Sequence, residues 1–307
     1  MKKFLVLGAS GGMGYAITKE LLARGKDVRV FARNKEKLMK LFGSEVEIFQ
    51  GDVFQLEQLL EAAKDVDIII HAVNIPYEQW EEKLLQLNKN IWEAAKQVGA
   101  KLAVVDNIYA YGKKSAEKHS ETAPKNPHTK KGKIRLEIEK RAKETGVPIL
   151  YAHFPDFYGP YAENSILNYT LKNIAKNKKA MFVGDLSVQR EYIFTPDGAK
   201  ALVELSLTDA AYGQNWNIAG AGTISGNEII ELVRTTLGYH QKVSSIGKRA
   251  ISFLGLFNKG MKEVVEMLYL TEEPVILDSS KYEREIGILP RTSYKEGILQ
   301  TIQHVKE

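Results

Sequence analysis

Lys3-Phe4-Leu5-Val6-Leu7, followed at once by Gly8-Ala9-Ser10-Gly11-Gly12-Met13-Gly14, decides how this chain of 307 residues is read. The first run predicts a buried strand, the glycines a tight turn, and the residues from Gly14 to about Gly25 a helix. A strand, a glycine turn and a helix in that order build a pocket for a dinucleotide. Glycines let the backbone approach a pyrophosphate, and the first helical turn offers unpaired N–H groups with a partial positive charge. The spacing is GxxGxxG, which alone also fits an ordinary strand-to-helix turn.

Outward from this turn the same alternation continues. Strands are expected at 3–7, 28–32, 46–50, 66–71, 101–106 and 148–153, and helices near 14–25, 35–42, 55–64, 78–98 and 129–145. Such alternation means a parallel sheet covered by helices on both faces, with ligands at the carboxyl ends of the strands. Farther on, helices are expected at 163–177, 196–207, 226–237, 259–269 and 293–305. Thr195-Pro196-Asp197 reads as a helix start, with Thr195 as N-cap and Pro196 in the first position. Asn215 to Ala219 reads as a strand that returns to the main sheet. The expected fold class is α/β, a Rossmann-type doubly wound parallel sheet with a smaller, mostly helical C-terminal substrate domain. The division is 1–160 for the dinucleotide-binding domain, with a returning piece near 190–220, and 161–307 for a discontinuous substrate domain.

The chain has no cysteine, which excludes disulfides and thiolate chemistry and fits a cytoplasmic location. The apolar part of Met1 to Leu7 is too short for a signal peptide. The longest apolar stretch, Ile251 to Phe257, is far below membrane-spanning length, so no membrane contact is expected. With Met261, Met267 and Tyr269 that stretch reads as a pocket roof, a core segment or a subunit interface. Net charge is +5, and Lys113 to Glu144 holds eleven Lys/Arg against five Glu. No aromatic residues are interleaved there for bases to stack on, so no nucleic-acid partner is expected and a solvated helix face near an anionic cofactor fits better. His128 and His153 are isolated in sequence, and no cluster has metal-ligand spacing.

Further motifs carry a resemblance over nearly the whole chain. Gly51-Asp52-Val53 follows the third expected strand, and His71-Ala72-Val73-Asn74 ends the fourth. Tyr158-Gly159-Pro160, then Arg190-Glu191-Tyr192-Ile193-Phe194 with Asp197, then Tyr212 to Ile218 follow in order. Together with Gly8, Gly11 and Gly14 they resemble the extended short-chain dehydrogenase/reductases, the NAD-dependent epimerase/dehydratase group. The resemblance implies a nicotinamide cofactor held by Gly8, Ser10, Gly11, Gly12, Met13 and Gly14, by Asp52 and Val53 at the adenine, and by Ala72 and Val73. It also implies a small-molecule substrate, and many such proteins are homodimers.

The residues choose between cofactors. NAD-binding folds usually end the second strand on an acid that bonds the ribose hydroxyls. Here it ends Val30-Phe31-Ala32-Arg33-Asn34, with no acid. Arg33 can stack on adenine and pair with a 2′-phosphate, and Ser10 can add a hydrogen bond. NADP(H) is therefore expected over NAD(H), unless Arg33 is an ordinary surface arginine.

The resemblance implies a catalytic Tyr-x-x-x-Lys and an upstream Ser or Thr, and here the chain departs. The segment reads Thr129-Lys130-Lys131-Gly132-Lys133, so Lys133 fits the ribose-holding lysine and Thr129 stands where the tyrosine belongs. A threonine hydroxyl is far less acidic than a phenol. The upstream position is Asn107, which can polarise a carbonyl but cannot relay a proton. Tyr109 lies on the same strand face as Asn107 and is the candidate stand-in acid, or else a packed aromatic. Two further outcomes stay open: Lys133 serves alone, as in isoflavone reductase-like relatives, or there is no turnover. Asp156, Tyr158 and Arg190 are the expected substrate contacts; Asp156 reads as a base or an ion-paired residue, and Arg190 as a phosphate ligand or a salt bridge with Asp197 or Glu191. An acidic Asp156, with the acidic run Thr271 to Asp278, weakens the case for a diphosphate substrate.

The expected function is hydride transfer on a small molecule. A sugar epimerase or dehydratase and a non-catalytic NADP(H) sensor are the alternatives. Arg33→Ala should weaken NADPH binding about tenfold or more, the worth of a lost charge-assisted pair, and leave NADH binding nearly unchanged. Titration calorimetry with NADPH, NADP⁺, NADH and NAD⁺ reads this, and equal affinity for all four in the parent protein would overturn it.

Overall fold

Strand β1 (Lys3–Leu7) lies in the middle of a seven-stranded sheet in a computed structural model that describes residues 2–257 and 259–306. The other strands are β2 (Asp27–Ala32), β3 (Glu47–Gln50), β4 (Ile68–His71), β5 (Lys101–Asn107), β6 (Ile149–Phe154), β7 (Asp156–Tyr158), β8 (Ala180–Val183), β9 (Arg190–Phe194), β10 (Asn215–Asn217), β11 (Thr223–Ile224) and β12 (Val243–Ile246). The main sheet runs β10-β6-β5-β4-β1-β2-β3, and every pairing in it is parallel. This is the doubly wound order with one added strand, and β10 is the returning strand expected from Asn215 to Ala219. The order reverses beside β1. Leu7 is in register with Phe31 of β2 and His71 of β4, so the ends of these strands form one edge.

Period two assigns the side chains of β1 to opposite cores. Phe4 and Val6 join the layer containing Ile17, Leu21, Leu202 and Leu205, while Leu5 and Leu7 join the layer containing Leu59, Ala62, Ile91 and Ala95. The helices that supply these layers are α1 (Gly12–Ala23), α2 (Lys35–Phe42), α3 (Leu56–Ala63), α4 (Leu85–Val98) and α5 (Lys130–Lys143), then α6 (Ile166–Ala175) and α7 (Thr195–Leu207). They continue with α8 (Gly226–Leu237), α9 (Lys248–Gly255), α10 (Lys259–Val265), α11 (Tyr269–Glu272), α12 (Ser280–Glu285) and α13 (Tyr294–Lys306). A third core, with Leu167, Leu171, Phe194, Ile298 and Ile302, holds the C-terminal lobe together. That lobe carries two small sheets, β11-β9-β7 and β12-β8, so it is less helical than the sequence implied.

Several expected boundaries move for local reasons. The helix expected at 78–98 begins as a 3₁₀ turn over Tyr77–Gln79 and a π turn over Trp80–Leu84, where the Trp80 indole N–H bonds back to the Ile75 carbonyl at 2.9 Å. Thr195 is not an N-cap: the helix already includes it, Phe194 takes the cap position without a side-chain bond, and Pro196 follows in the second position. The helix expected at 259–269 stops at Val265, where the backbone passes into tight i to i−3 turns, and the Glu266 side chain bonds the start of α5. Of the expected apolar roof, Ile251, Met267 and Tyr269 are buried, whereas Phe253, Leu256 and Phe257 are exposed. The Leu254 side chain and Met1 fall outside the described residues.

Gly14 is fixed by contact rather than by conformation. A Cβ built there would lie 2.2 Å from the Gly8 carbonyl oxygen. Gly14→Ala should therefore destabilise the fold by about 3 kcal/mol or more, although alanine is the better helix former by about 1 kcal/mol. Gly146→Ala, at φ +74° with nothing near its Cβ, should cost only about 1–2 kcal/mol. Urea denaturation midpoints compare the two, and a Gly14→Ala protein as stable as the parent would refute the contact.

Candidate cofactor and catalytic site

The glycine turn is built against its neighbours on both sides. Gly8 has φ +82°, and a Cβ there would lie 2.8 Å from the Ala72 carbonyl oxygen, so β4 passes directly behind the turn. Gly8 N–H donates to the Phe31 carbonyl at 3.1 Å, and Gly11 N–H donates to the Gly8 carbonyl at 3.1 Å. Gly11 is the N-cap of α1 and has no side chain to offer, which leaves the first N–H groups of the helix without a side-chain acceptor. Gly12 answers a different need: its missing Cβ would stand 2.8 Å from the Ala162 Cα, in the loop after β7. The Met13 side chain is buried in the core, so only its backbone faces the turn. Ser10 is half-buried in the turn itself.

The remaining expected cofactor contacts gather at the same sheet edge. Arg33 is exposed at the end of β2, and its guanidinium makes no ion pair or hydrogen bond among the described residues. Asn34 caps α2 by accepting the Lys37 N–H at 2.8 Å. One Asp52 carboxylate oxygen accepts the Phe54 N–H at 3.1 Å, and the buried Val53 is held through its carbonyl by Asn90 at 3.1 Å. Ala72 and Val73 are half-buried, and Val73 N–H donates to His71 Nδ1 at 3.2 Å. Burial, together with the nearby Arg135 charge, pushes the His71 imidazole down to about 3, so it stays neutral and keeps that acceptor.

At the end of β5 the structure supplies a pair that the sequence reading lacked. The Tyr109 and Tyr77 hydroxyls are hydrogen-bonded at 2.6 Å. Burial raises both phenols above their ordinary range, and for Tyr109 the Tyr77 hydroxyl and the Asp156 charge add to it. Asn107 Oδ1 accepts the Tyr109 N–H at 3.0 Å, which aims the amide nitrogen away as a donor. Thr129 is the N-cap of α5: its hydroxyl accepts the Gly132 N–H at 3.1 Å. A tyrosine there could not cap the helix in this way.

The amine beside the tyrosines belongs to Lys131 and not to Lys133. Lys131 is 1% exposed, lies 5.1 Å from the Tyr77 ring centroid, and pairs with Glu263 at 2.6 Å and Glu266 at 2.7 Å. Lys133 is exposed, without an ion pair among the described residues. Two residues along a helix turn the side chain by about 200°. The buried face of α5 runs through Lys131, Arg135, Ile138 and Ala142, which puts Lys133 on the far side. The Tyr-x-x-x-Lys spacing fixes a helix face but not which way that face points. Tyr77, Glu263 and Glu266 carried no sequence signal beyond their residue types.

The expected substrate residues are drawn into one another. Arg190, 3% exposed, donates to Asp156 at 2.9 Å and to the Val183 carbonyl at 3.0 Å. Neither alternative partner is used. Glu191 accepts the Gly220 and Leu277 N–H groups, with burial pushing its carboxyl up to about 7, and Asp197 binds the Thr292 N–H and hydroxyl. Tyr158 is not at the site: it is 1% exposed in the C-terminal core, stacked on Tyr294, with its hydroxyl where a Gly297 Cβ would be. Asp156 and Tyr158, two apart on β7, share a strand face, and Tyr158 is taken up by the C-terminal core while Asp156 pairs with Arg190.

The sequence profile of the NAD dependent epimerase/dehydratase family matches residues 4–219. The chain belongs to this family. Curated relatives of this epimerase/dehydratase-family protein include a UDP-N-acetyl-alpha-D-glucosaminuronate decarboxylase of Bacillus cytotoxicus, 21% identical over 100% of this chain and 98% of the relative. A dTDP-glucose 4,6-dehydratase of Xanthomonas campestris is 22% identical, over 98% of this chain and 92% of the relative. Among solved structures, UDP-glucuronic acid 4-epimerase from Bacillus cereus in complex with NAD aligns with TM-score 0.80 at 18% identity, covering 99% of this chain and 98% of that one. A dTDP-glucose 4,6-dehydratase from Bacillus anthracis in complex with NAD gives 0.82 at 16% identity, covering 99% and 96%. These likenesses show that the fold is shared along its whole length.

Lys131 should matter to stability and Lys133 should not. Lys131→Met leaves two partly exposed carboxylates facing a buried wall and should cost about 1–3 kcal/mol, less than a fully buried pair because the glutamates can rehydrate. It should also speed amide hydrogen exchange in α10. Lys133→Met should stay within about 0.5 kcal/mol of the parent. Equal effects of the two substitutions on the urea midpoint would contradict the placement of α5.

Proposed function

We propose that this protein is an NADP(H)-dependent oxidoreductase that reduces a carbonyl group on a small molecule, with the Tyr109–Tyr77 pair as the proton donor. The observation that carries the proposal is the 2.6 Å bond between these hydroxyls, at the end of the strand where Asn107 presents its amide. The residues present fit a dinucleotide. Gly8, Gly11 and Gly14 clear the backbone of side chains, α1 offers unbonded N–H groups, and Arg33 supplies a free cation where an NAD-specific fold would carry an acid. Asp52 and the backbone of Val53, Ala72 and Val73 complete that edge. When bound, the nicotinamide supplies the hydride.

The protein's own part is polarisation and proton transfer. The Asn107 amide donates to the substrate carbonyl oxygen. Tyr109 gives its proton to that oxygen as charge develops, Tyr77 reprotonates Tyr109 along their hydrogen bond, and the half-buried Tyr77 takes its own proton back from solvent. A phenol raised above its ordinary range holds its proton at neutral pH, so the pair is matched to donation and poorly matched to abstraction. Lys131 does not counter this, because Glu263 and Glu266 neutralise its charge. The Arg190–Asp156 pair lines the same region without net charge, which suits a neutral substrate better than a diphosphate.

The full-length match to sugar-nucleotide enzymes favours a second reading, an epimerase or dehydratase in which the cofactor is recycled internally. Cofactor retained through purification would support it, and freely exchanging NADPH would support the first reading.

Tyr109→Phe should lower kcat by about 10²–10⁴-fold, and Tyr77→Phe by about tenfold, since water can replace the second hydroxyl. The rate of NADPH-dependent carbonyl reduction should be flat from about pH 6 to 9, because both phenols remain protonated throughout, and the reverse oxidation should still be rising above pH 10. A carbonyl panel followed by NADPH absorbance measures both. An unchanged rate in Tyr109→Phe, or reduction falling through neutral pH, would sink the assignment.

A further inference from the structure

We propose that the α9–α10 hairpin docks this protein on an anionic lipid surface, with Phe253, Leu256 and Phe257 entering the interface and the surrounding cations meeting the lipid phosphates. The three side chains are 63%, 76% and 80% exposed, and the two rings touch edge to face with centroids 5.7 Å apart. The other exposed large hydrophobics lie on other elements, Met39 on α2, Tyr169 on α6, Met181 on β8, Leu237 on α8 and Ile288 after α12. The hairpin is fastened to the body at its other end. Ile251 is 2% exposed, and Glu263 and Glu266 hold Lys131. The apolar tip is thus presented outward.

Charge settles which occupant fits. Residues 242–262 contain Lys242, Lys248, Arg249, Lys259 and Lys262 and no acidic residue. All five are exposed, and none forms an ion pair among the described residues. Elsewhere, Lys125, Lys130 and Lys131 are each paired with glutamate. Two aromatic rings and a leucine flanked by unpaired cations match the chemistry of an interfacial segment, whose binding sums apolar insertion and attraction to anionic headgroups. The same three side chains are too few for a stable protein–protein interface, which needs about 800 Å² from each partner. The absence of any described helix long and apolar enough to cross a membrane does not bear on this, since docking requires no span. The sequence expectation of no membrane contact rested on span length alone.

The test is flotation of the full chain with phosphatidylcholine vesicles, with and without phosphatidylglycerol. Binding should be about tenfold or more stronger on the anionic vesicles and should weaken as salt is added. Lys248→Gln with Arg249→Gln should lower it by about tenfold or more, at roughly fivefold per cation. Phe253→Ser with Phe257→Ser should lower it at least as far, while the urea midpoint of each variant stays at the parent value. No flotation, equal flotation with neutral vesicles, or flotation indifferent to these substitutions would overturn the proposal. So would a concentration-dependent dimer, lost in the double phenylalanine variant, in a protein that does not float: the patch would then belong to a second copy of the chain.

Discussion

Between the carbonyl oxygen of Gly8 and the Cα of Gly14 there is no room for a methyl group, and much of the molecule is arranged around that contact. It sets how closely α1 returns over the end of β1. The same Gly8 leans on the Ala72 carbonyl, which ties the turn to β4 on one side, while its N–H binds β2 on the other. Three strand ends are thus locked at the place where the sheet order reverses, and a helix N-terminus without a side-chain cap is aimed into the gap. The interface between α1 and α7 follows from this angle, with Met13 reaching Gly198. The second half of the chain therefore adds to a sheet whose geometry the first fourteen residues have constrained.

Around the tyrosine pair, charges are consumed locally. Arg135 pairs with Asp106 at 3.3 Å and lies over the Trp80 ring, Arg190 pairs with Asp156, and Lys131 is held by two glutamates. Deeper in, Lys125, Glu139 and His153 form a buried cluster, where the Lys125 charge and the hydrogen bonds it receives hold the Glu139 carboxyl far below its ordinary range. Buried pairs of this kind contribute little net stability, because desolvation offsets most of the attraction. Their effect is on the site. Within this shell of compensated ions, burial governs the phenols, and burial favours the protonated form.

How much the sequence disclosed differs between the halves for a physical reason. Parallel strands buried on both faces read as apolar runs, and the helices between them are long enough to show their period, so β1 to β6 and α1 to α5 were legible to within a few residues except at the start of α4, where 3₁₀ and π turns take the first seven expected positions. In the C-terminal lobe β7, β8, β9, β11 and β12 are two to five residues long. They pair over long separations, as when Ala180 meets Val243, and no local pattern encodes that. The site divides likewise. Glycine positions and Arg33 sit where motif spacing puts them. Lys133 has the motif spacing but is exposed, and the lysine beside Tyr77 is Lys131. Asp156 and Arg190 were both singled out, but that they spend their charges on each other is a fact of strand pairing, since β7 lies parallel to β9 with Asp156 beside Tyr192.

Glu266 does two jobs at once. Its carboxylate accepts the N–H groups of Lys130 and Lys131 at 3.0 and 3.2 Å, which caps α5, and it also holds the Lys131 amine. A ligand that approaches the tyrosines from the α10 side must first separate all of these groups, leaving two first-turn N–H groups of α5 unbonded and a buried amine half-compensated. Its measured affinity is then the intrinsic affinity multiplied by the fraction of molecules already parted. Tightness of closure and tightness of binding are thus opposed in this fold, and a chain with weaker roof contacts would be the better binder and the poorer container.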